Sequence, residues 1–224
     1  MTGRTNGLPL VDTILARVAW CPRAVLESLL ELAIEIAREG REGRRIGTLF
    51  TLGHAEDVLA HSRPLILDPL AGHAPLATHV SDRNLRGTLK ELAQLDGAFV
   101  VAEDGTVRAA CRYLDASVED VDLPLGLGSR HLAGASISKR VGVMAIVVSE
   151  SAVVRVFEAG ELIAEIIPEL WLFRRHLQSH VRGPVTEAHV DDLAIFTAEE
   201  RSSRRREPHK PDGRRRVRGT RPAT

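Results

Sequence analysis

A continuous apolar run, VGVMAIVVS at residues 141–149, constrains the fold of this chain more than any other feature of its sequence. Its length and lack of charge are typical of a strand buried inside a sheet. Segments of helical and of extended periodicity are interspersed on both sides of it. That order predicts an α/β fold, a mixed β-sheet flanked by helices, with a helical segment at the N-terminus.

Five segments predict helices, at residues 9–39, 54–61, 84–94, 130–140 and 168–181. In the first, Val25, Leu29 and Ile36 belong to an apolar stripe that faces glutamates on the other side, and Gly40 ends the pattern. The stripe either covers the core or forms a contact with a partner or a second copy.

Extended segments are predicted at 46–52, at 98–102 with 107–111, and at 152–157 with 161–166. The pair Asp104-Gly105 between two β-prone runs predicts a hairpin, and Ala159-Gly160 predicts another. The stretch 114–128 is predicted to be a long loop.

The formal net charge is zero, with 30 Lys+Arg against 30 Asp+Glu, but the charge is unevenly distributed. Residues 201–224 hold ten basic residues against Glu207 and Asp212, so this tail carries +8 and the first 200 residues carry −8. The tail has no helical or extended periodicity and is predicted to be disordered. It is a solvated extension, an arm that binds nucleic acid or an anionic surface, or a docking peptide. It has no Phe, Tyr or Trp on which bases could stack.

Composition excludes several classes of protein. Two cysteines are too few for a disulfide framework or a cysteine-rich zinc site. No apolar run approaches the length of a membrane span, and the first residues lack the pattern of a signal peptide. We therefore expect a cytoplasmic enzyme or binding protein.

Asp96-Gly97-Ala98 lies between a predicted helix and a predicted strand. Glycine lets a ligand approach the backbone closely, and the carboxylate of Asp96 is a potential ligand for a divalent metal. On its own, however, this segment is better explained as an ordinary turn, because Asp-Gly is among the commonest turn pairs.

A second segment, residues 126–131, reads GLGSRH and precedes the predicted helix 130–140. Backbone N–H groups at a helix start, the Ser129 hydroxyl and the Arg130 guanidinium all favour phosphate, and His131 adds a donor or metal ligand. The Lys-Ser/Thr of a Walker motif is missing, and no GxGxxG follows a strand. The sequence predicts an anion site that is neither a P-loop nor a Rossmann site.

Read together, LDGAFVV and the later GLGSRHLAGASISKRVGVMAIVVSE resemble the diadenylate cyclase domain, the family of the N-terminal domains of DNA-integrity scanning proteins. The resemblance runs from about residue 46 to residue 167. It implies condensation of two ATP molecules into cyclic di-AMP, with release of two pyrophosphates. It also implies a face-to-face homodimer, or a higher homo-oligomer, and Mg²⁺ or Mn²⁺ as cofactor.

The resemblance also assigns roles to individual residues. Asp96 would bind the metal and activate the 3′-hydroxyl, and Arg130 and His131 would act with it on the phosphates. The residues implied in ATP binding are Gly97, Ala98, Leu114, Gly128, Ser129, Ser149 and Glu150. Within this set, Leu114 would lie against adenine and Ser149 would face the phosphates.

One position departs from the family pattern. The second motif usually ends in arginine, and here that residue is Leu132. We expect an active enzyme, and the alternative is a non-catalytic sensor that binds ATP or cyclic di-AMP. The expected segments are an N-terminal helical region at 1–45, a catalytic domain at 46–183, an extension at 184–200 and the tail at 201–224.

Overall fold

The computed structural model describes residues 9–18, 20–115, 121, 123–169, 185–190 and 193–198. The helices are α1 (Pro9–Leu15), α2 (Arg23–Glu39), α3 (Ala55–Ala60), α4 (Arg83–Leu92) and α5 (Ser129–Val141), with a short 3-10 turn at Pro75–Thr78. The strands are β1 (Thr48–Leu52), β2 (Ser62–Pro64), β3 (Ala98–Val101), β4 (Val107–Leu114), β5 (Met144–Val148), β6 (Val154–Glu158), β7 (Glu161–Ile166), β8 (Val185–Val190) and β9 (Leu193–Ala198). The chain divides into two compact units, Met1–Arg175 and His176–Thr224.

The first unit contains a seven-stranded sheet in the order β2-β4-β3-β1-β5-β6-β7. Strands β1 and β3 are parallel, while the other neighbouring pairs are antiparallel. The sheet is therefore mixed, and helices flank it, which confirms the predicted fold class.

Both faces of the sheet are covered, and this explains why the apolar run has no polar face. In β5, Met144, Ile146 and Val148 belong to one buried cluster with residues of α1, α2 and α4. Ala145 and Val147 alternate with them and belong to a second cluster with residues of α3 and α5. Successive side chains of a strand point to opposite faces, so covering both faces requires apolar residues at every position.

The predicted helix 9–39 is corrected to two helices, because α1 ends at Leu15 and α2 begins at Arg23. Pro22 precedes α2 with φ −64° and ψ 126°. Proline has no N–H and disfavours helix in the residue before it, so a continuous helix cannot pass through this position. Gly40 ends α2 with φ +57°, donating its N–H to the Ile36 carbonyl as expected of a glycine cap.

The apolar stripe of α2 packs into the same buried cluster as the sheet, which confirms that it covers the core. Val25, Leu29 and Ile36 are each at most 7% exposed. Helices α1 and α2 thus share a core with the sheet, and the predicted segment boundary after residue 45 stays a prediction.

Both predicted hairpins are present. Strands β3 and β4 join through the turn containing Asp104 and Gly105, and β6 joins β7 through Ala159-Gly160. Strand β4 runs on to Leu114, beyond the predicted end at residue 111, because β2 pairs with its last three residues. No sequence pattern indicates β2, which is short and includes Pro64.

The second unit contains an antiparallel hairpin of β8 and β9, within the segment 184–200 for which no strand was predicted. Most of the predicted helix 168–181 and the whole tail 201–224 lie outside the described residues. Among the helices that the structure describes, none has the length and apolar character to span a membrane.

Candidate functional site

Gly97 lies just before β3 and lets the chain pass close to β4. Its φ is +109°, and a Cβ atom there would lie 2.6 Å from the carbonyl carbon of Cys111 and 2.8 Å from the amide nitrogen of Arg112. Cys111 itself has φ +53°, at a bulge where β4 carries one more residue than β3. Only glycine fits between these backbones, and it places the preceding Asp96 just before the N-terminal end of β3.

Helix α5 begins at Ser129 after an extended Gly128, and among the described residues no side chain caps its first turn. The first N–H groups of a helix lack intrahelical acceptors and, together with the helix dipole, favour an anion. The predicted anion loop is therefore a helix N-terminus, as its sequence indicated.

Arg130 joins the two predicted motifs. Its Nη2 donates to Oδ1 of Asp96 at 3.1 Å, and its Nη1 donates to Oε1 of Glu150 at 3.0 Å. Gly47 makes room for it, because a Cβ at that position would lie 2.6 Å from Nη1. The side chains of Asp96 and Glu150 are 84% and 68% exposed, so both carboxylates remain accessible to a ligand.

Two adjoining cavities open around Arg130, one of about 700 Å³ and one of about 230 Å³. The residues implied by the resemblance divide between them. The larger cavity is lined by Asp96, Gly97, Ala98, Leu114, Ser129 and Arg130, together with Leu132. The smaller cavity is lined by Gly128, Ser129, Arg130, His131, Ser149 and Glu150. The structure thus brings all ten site residues to one place, while their chemical roles stay predictions.

His131 is buried, with 7% of its surface exposed. Its Nε2 lies 3.2 Å from Nη1 of Arg155. Burial lowers the pKa of His131, and the positive charge of Arg155 lowers it further, while the Gly128 backbone acts in the opposite direction. The ring is therefore neutral at physiological pH.

Ser149 follows the end of β5, where the apolar run stops. Its Oγ lies 2.5 Å from Oγ of Ser151 and accepts a hydrogen bond from the N–H of Val153 at 3.4 Å. The hydroxyl is fixed by this turn beside the smaller cavity.

Sequence reasoning missed two arginines at the site. Arg112 lines the larger cavity and donates to the carbonyls of Leu59 and Ser62 and to the Ser62 hydroxyl, at 2.8–3.2 Å. Arg155 lies beneath His131 on β6. A charged residue inside the β-prone run VVRVF was the only available signal for Arg155, and none pointed to Arg112.

An apolar rim also escaped the sequence reasoning. Leu65, Ile66 and Tyr113 line the larger cavity and are 40%, 49% and 46% exposed. The guanidinium of Arg63 lies over the Tyr113 ring, 4.5 Å from its centroid. These residues lie on or next to β2 and β4, whose pairing was not predicted.

Within the described part of the chain, no three His, Cys, Asp or Glu side chains cluster in a way that could hold a metal ion. Mg²⁺ bound together with phosphates usually takes only one or two protein carboxylates and completes its shell with water. The open carboxylate of Asp96 beside a phosphate-favouring helix start fits that pattern.

A mixed sheet whose strand ends meet a helix N-terminus, an arginine and two open carboxylates defines an α/β protein with a polar cavity at one end of its strands. Residues 35–162 match the DAC family model, described as DisA bacterial checkpoint controller nucleotide-binding. Since the match spans more than half of the chain, the protein belongs to this family.

Two curated relatives are both named diadenylate cyclase. The protein from Methanocaldococcus jannaschii is 46% identical over 147 residues, which is 65% of this chain and 46% of that protein. The protein from Haloferax volcanii is 42% identical over 149 residues, which is 66% of this chain and 54% of that protein. The chain thus spans about half the length of the curated relatives it matches.

Among solved structures, a double mutant of DacA from Staphylococcus aureus aligns with a TM-score of 0.42 at 21% identity, over 70% of this chain and 95% of that one. A hypothetical membrane spanning protein from Bacillus cereus aligns with a TM-score of 0.45 at 23% identity, over 62% and 66% of the two chains.

Proposed function

We propose that this protein is a diadenylate cyclase, which condenses two ATP molecules into cyclic di-AMP and releases two pyrophosphates. The observation that carries the proposal is the meeting of Asp96 and Arg130, 3.1 Å apart, where the N-terminus of α5 opens onto the larger cavity. A carboxylate and a phosphate-binding group are thereby adjacent. The names of the two curated relatives support the same activity.

The triphosphate of ATP would bind at the start of α5. The first N–H groups of the helix, the Ser129 hydroxyl and the Arg130 guanidinium are donors suited to phosphate oxygens. Arg130 would exchange its exposed carboxylate partners for phosphate oxygens, which carry more charge. That exchange would free the Asp96 carboxylate to act on the substrate.

In the proposed reaction, the 3′-hydroxyl oxygen of one ATP attacks the α-phosphorus of the ATP held by the facing protomer. A new P–O bond forms, and the bond from the α-phosphorus to the bridging oxygen breaks, so pyrophosphate leaves with the electron pair. Asp96 would accept the hydroxyl proton. Two such transfers close the ring, and one site per chain requires a face-to-face homodimer or a higher homo-oligomer.

Asp96 would also hold the divalent metal, Mg²⁺ or Mn²⁺. When bound, the ion offsets phosphate charge and lowers the pKa of a hydroxyl that it contacts. Ser149, Glu150 and the small cavity lie on the other side of Arg130 and would complete the polar surroundings of the phosphates. Leu114, buried in the wall of the larger cavity, offers an apolar surface to the adenine ring.

The alternative is a non-catalytic sensor that binds ATP or cyclic di-AMP at the same place. The observation that favours it is Leu132, which lines the larger cavity and adds no charge there. Positioning and charge stabilisation supply most of the rate in phosphoryl transfer, so a missing cation is more damaging to turnover than to binding.

The test is formation of cyclic di-AMP from ATP by the full chain with Mn²⁺ or Mg²⁺, measured by chromatography. Asp96→Asn is expected to abolish product while preserving the fold, and Asp57→Asn on the exposed side of α3 is the matched control, with full activity expected. Absence of product from the unaltered protein at high concentration would exclude the cyclase. Retained ATP binding in that case would establish the sensor.

The same proposal assigns the catalytic role to residues 46–183, with the helical segment 1–45 and the extension 184–200 beside it. The tail 201–224 is proposed to be dispensable for chemistry, and its charge suits nucleic acid or an anionic surface.

A further inference from the structure

Arg155, Glu165 and His131 form a connected row beneath the start of α5. Nη1 of Arg155 lies 3.2 Å from Nε2 of His131, and its Nε donates to Oε2 of Glu165 at 2.6 Å. The Arg155 side chain is only 14% exposed. A guanidinium so largely removed from water is costly unless its donors are used, and here Nε and Nη1 each have a partner.

The pairing register of β5, β6 and β7 determines on which face of the sheet Arg155 and Glu165 lie. Arg155 on β6 lies directly opposite Glu165 on β7 and beside Val147 on β5. Val147 and Phe157 belong to the cluster on the α5 face of the sheet, and the His131 ring meets the Phe157 ring edge-on at 6.3 Å. Arg155 therefore projects from the strand on the side that α5 covers, directly under the second motif.

The contact fixes which ring nitrogen carries the proton. A guanidinium can only donate hydrogen bonds, so the nitrogen that faces Arg155 must be the acceptor. Neutral His131 then has its proton on Nδ1. The Gly128 backbone lies close enough to act on the ring as a hydrogen-bond acceptor that raises its pKa, yet Nδ1 makes no hydrogen bond of normal geometry with any described residue.

An unpaired donor on a buried ring costs free energy until an acceptor arrives. His131 lines the small cavity together with Ser129 and Ser149, which is the part of the site proposed for the phosphates. Arg130, the other cation near the ring, is directed instead to Asp96 and Glu150. Among the charged groups near His131, Arg155 and, through it, Glu165 are thus the ones that act on the orientation of the ring.

We propose that Arg155, braced by Glu165, is a positioning residue that holds His131 in its Nδ1-protonated form, ready to donate to a phosphate oxygen of the nucleotide. The inference rests on the proposed diadenylate cyclase function for its catalytic consequence, while the state of the ring is independent of turnover. Arg155 also supplies, from β6, a positive charge behind a motif in which residue 132 is leucine.

The experiment combines nitrogen NMR of the histidine rings with kinetics on the full chain. In ¹⁵N-histidine-labelled protein, His131→Gln assigns the His131 signals, and long-range ¹H–¹⁵N spectra identify the protonated nitrogen. Arg155→Met, Arg155→Lys and Glu165→Gln are compared, with Arg108→Met as the matched control, since Arg108 also forms an arginine–glutamate pair from a strand, with Glu56. Thermal unfolding shows which variants keep the fold.

In the unaltered protein, His131 is expected to be protonated on Nδ1. Arg155→Met should shift the ring towards the Nε2-protonated form and lower kcat/KM for cyclic di-AMP formation roughly 10–100-fold, by analogy with the removal of partners that orient metal-binding histidines. Arg155→Lys, which retains a donor, should keep part of the Nδ1-protonated form and part of kcat/KM. Glu165→Gln should have a smaller effect on both quantities than Arg155→Met. Arg108→Met should change neither.

An Nε2-protonated ring in the unaltered protein would overturn the proposal, as would an Arg155→Met protein with an unchanged ring and unchanged kinetics. If Arg155→Met does not fold, Arg155→Lys and Glu165→Gln carry the same comparison. If the unaltered protein forms no cyclic di-AMP, the cyclase proposal fails. Affinity for a non-hydrolysable ATP analogue then replaces kcat/KM as the readout, and the same loss is expected.

Discussion

Arg130 forms ion pairs with residues in both parts of the site, and its surroundings indicate that a ligand can replace either ion pair. It bonds to both Asp96 and Glu150, whose side chains are largely in water. Exposed ion pairs of this kind contribute less than about 1 kcal/mol. Little free energy therefore opposes the replacement of either carboxylate by a phosphate oxygen, and the arrangement is suited to binding a substrate.

Gly97→Ala tests the close approach between β3 and β4. A side chain at φ +109° is strained, and its Cβ would lie 2.6 Å from the backbone of Cys111. We expect a loss of about 2 kcal/mol or more in the free energy of unfolding, measured by urea denaturation, together with weaker ATP binding.

Gly87→Ala is the matched control for that substitution. Gly87 lies in α4, where an added Cβ would have no neighbouring atom within 4 Å, and its φ is not positive. There alanine should stabilise the protein by about 0.5–1 kcal/mol, because it favours helix over the unfolded chain. Equal effects at the two positions would contradict the assigned role of Gly97.

His131 should make stability depend on pH. Burial and Arg155 lower its pKa below the ordinary value of 6.5, so the unfolded chain binds this proton more tightly than the folded protein does. The free energy of unfolding should therefore be constant above about pH 6.5, the pKa in the unfolded chain. It should fall as the pH drops from there towards the lower pKa of the folded protein. Thermal midpoints at pH 7.5 and 5.5 should show a larger fall for the unaltered protein than for His131→Gln. The same fall in both would show that the histidine has no part in it.

At the scale of elements, α4 is fixed at its start by Asp82. The carboxylate accepts hydrogen bonds from the N–H groups of Asn84 and Leu85, at 2.8 and 2.9 Å. Asp82→Ala should lower the free energy of unfolding by about 1 kcal/mol. Asp82→Asn, which can also cap the helix, should retain most of the stability in the same urea titration. If both variants matched the unaltered protein, the cap would not be stabilising α4.

The elements were predictable where local chemistry alone decides them. Gly40 ends α2, and Asp104-Gly105 turns β3 into β4, because these residues adopt the required backbone angles themselves. Pro22 also indicates a break in the helix, but the apolar periodicity of residues 9–39 predicts one continuous helix instead of α1 and α2. Strand β2 was not readable, since three residues ending in proline form a strand only when β4 offers its edge.

At the scale of the whole molecule, the excess of positive charge lies in the tail 201–224, whereas the candidate site lies in the part of the chain before it. A truncated form ending at residue 200 should retain full cyclic di-AMP formation, because the residues placed at the site, from Leu65 to Glu165, all precede the tail. If the tail binds nucleic acid, filter retention of the intact chain should exceed that of the truncated form and fall steeply with salt. If the intact and truncated forms were retained equally at both a low and a high salt concentration, the nucleic-acid proposal would be excluded. If the truncated form lost cyclic di-AMP formation, the tail would contribute to the site.

By itself, the sequence determined the α/β class, the two hairpins and the two motifs that carry the resemblance. These depend on periodicity and on the backbone preferences of neighbouring residues, which act over a few positions of the chain. Only the tertiary structure decided that Arg130 faces Asp96 and Glu150, and that Arg155 lies under His131 with Glu165 behind it. Those contacts join residues 10 to 34 positions apart, and the register of the strands and the packing of α5 on the sheet fix them.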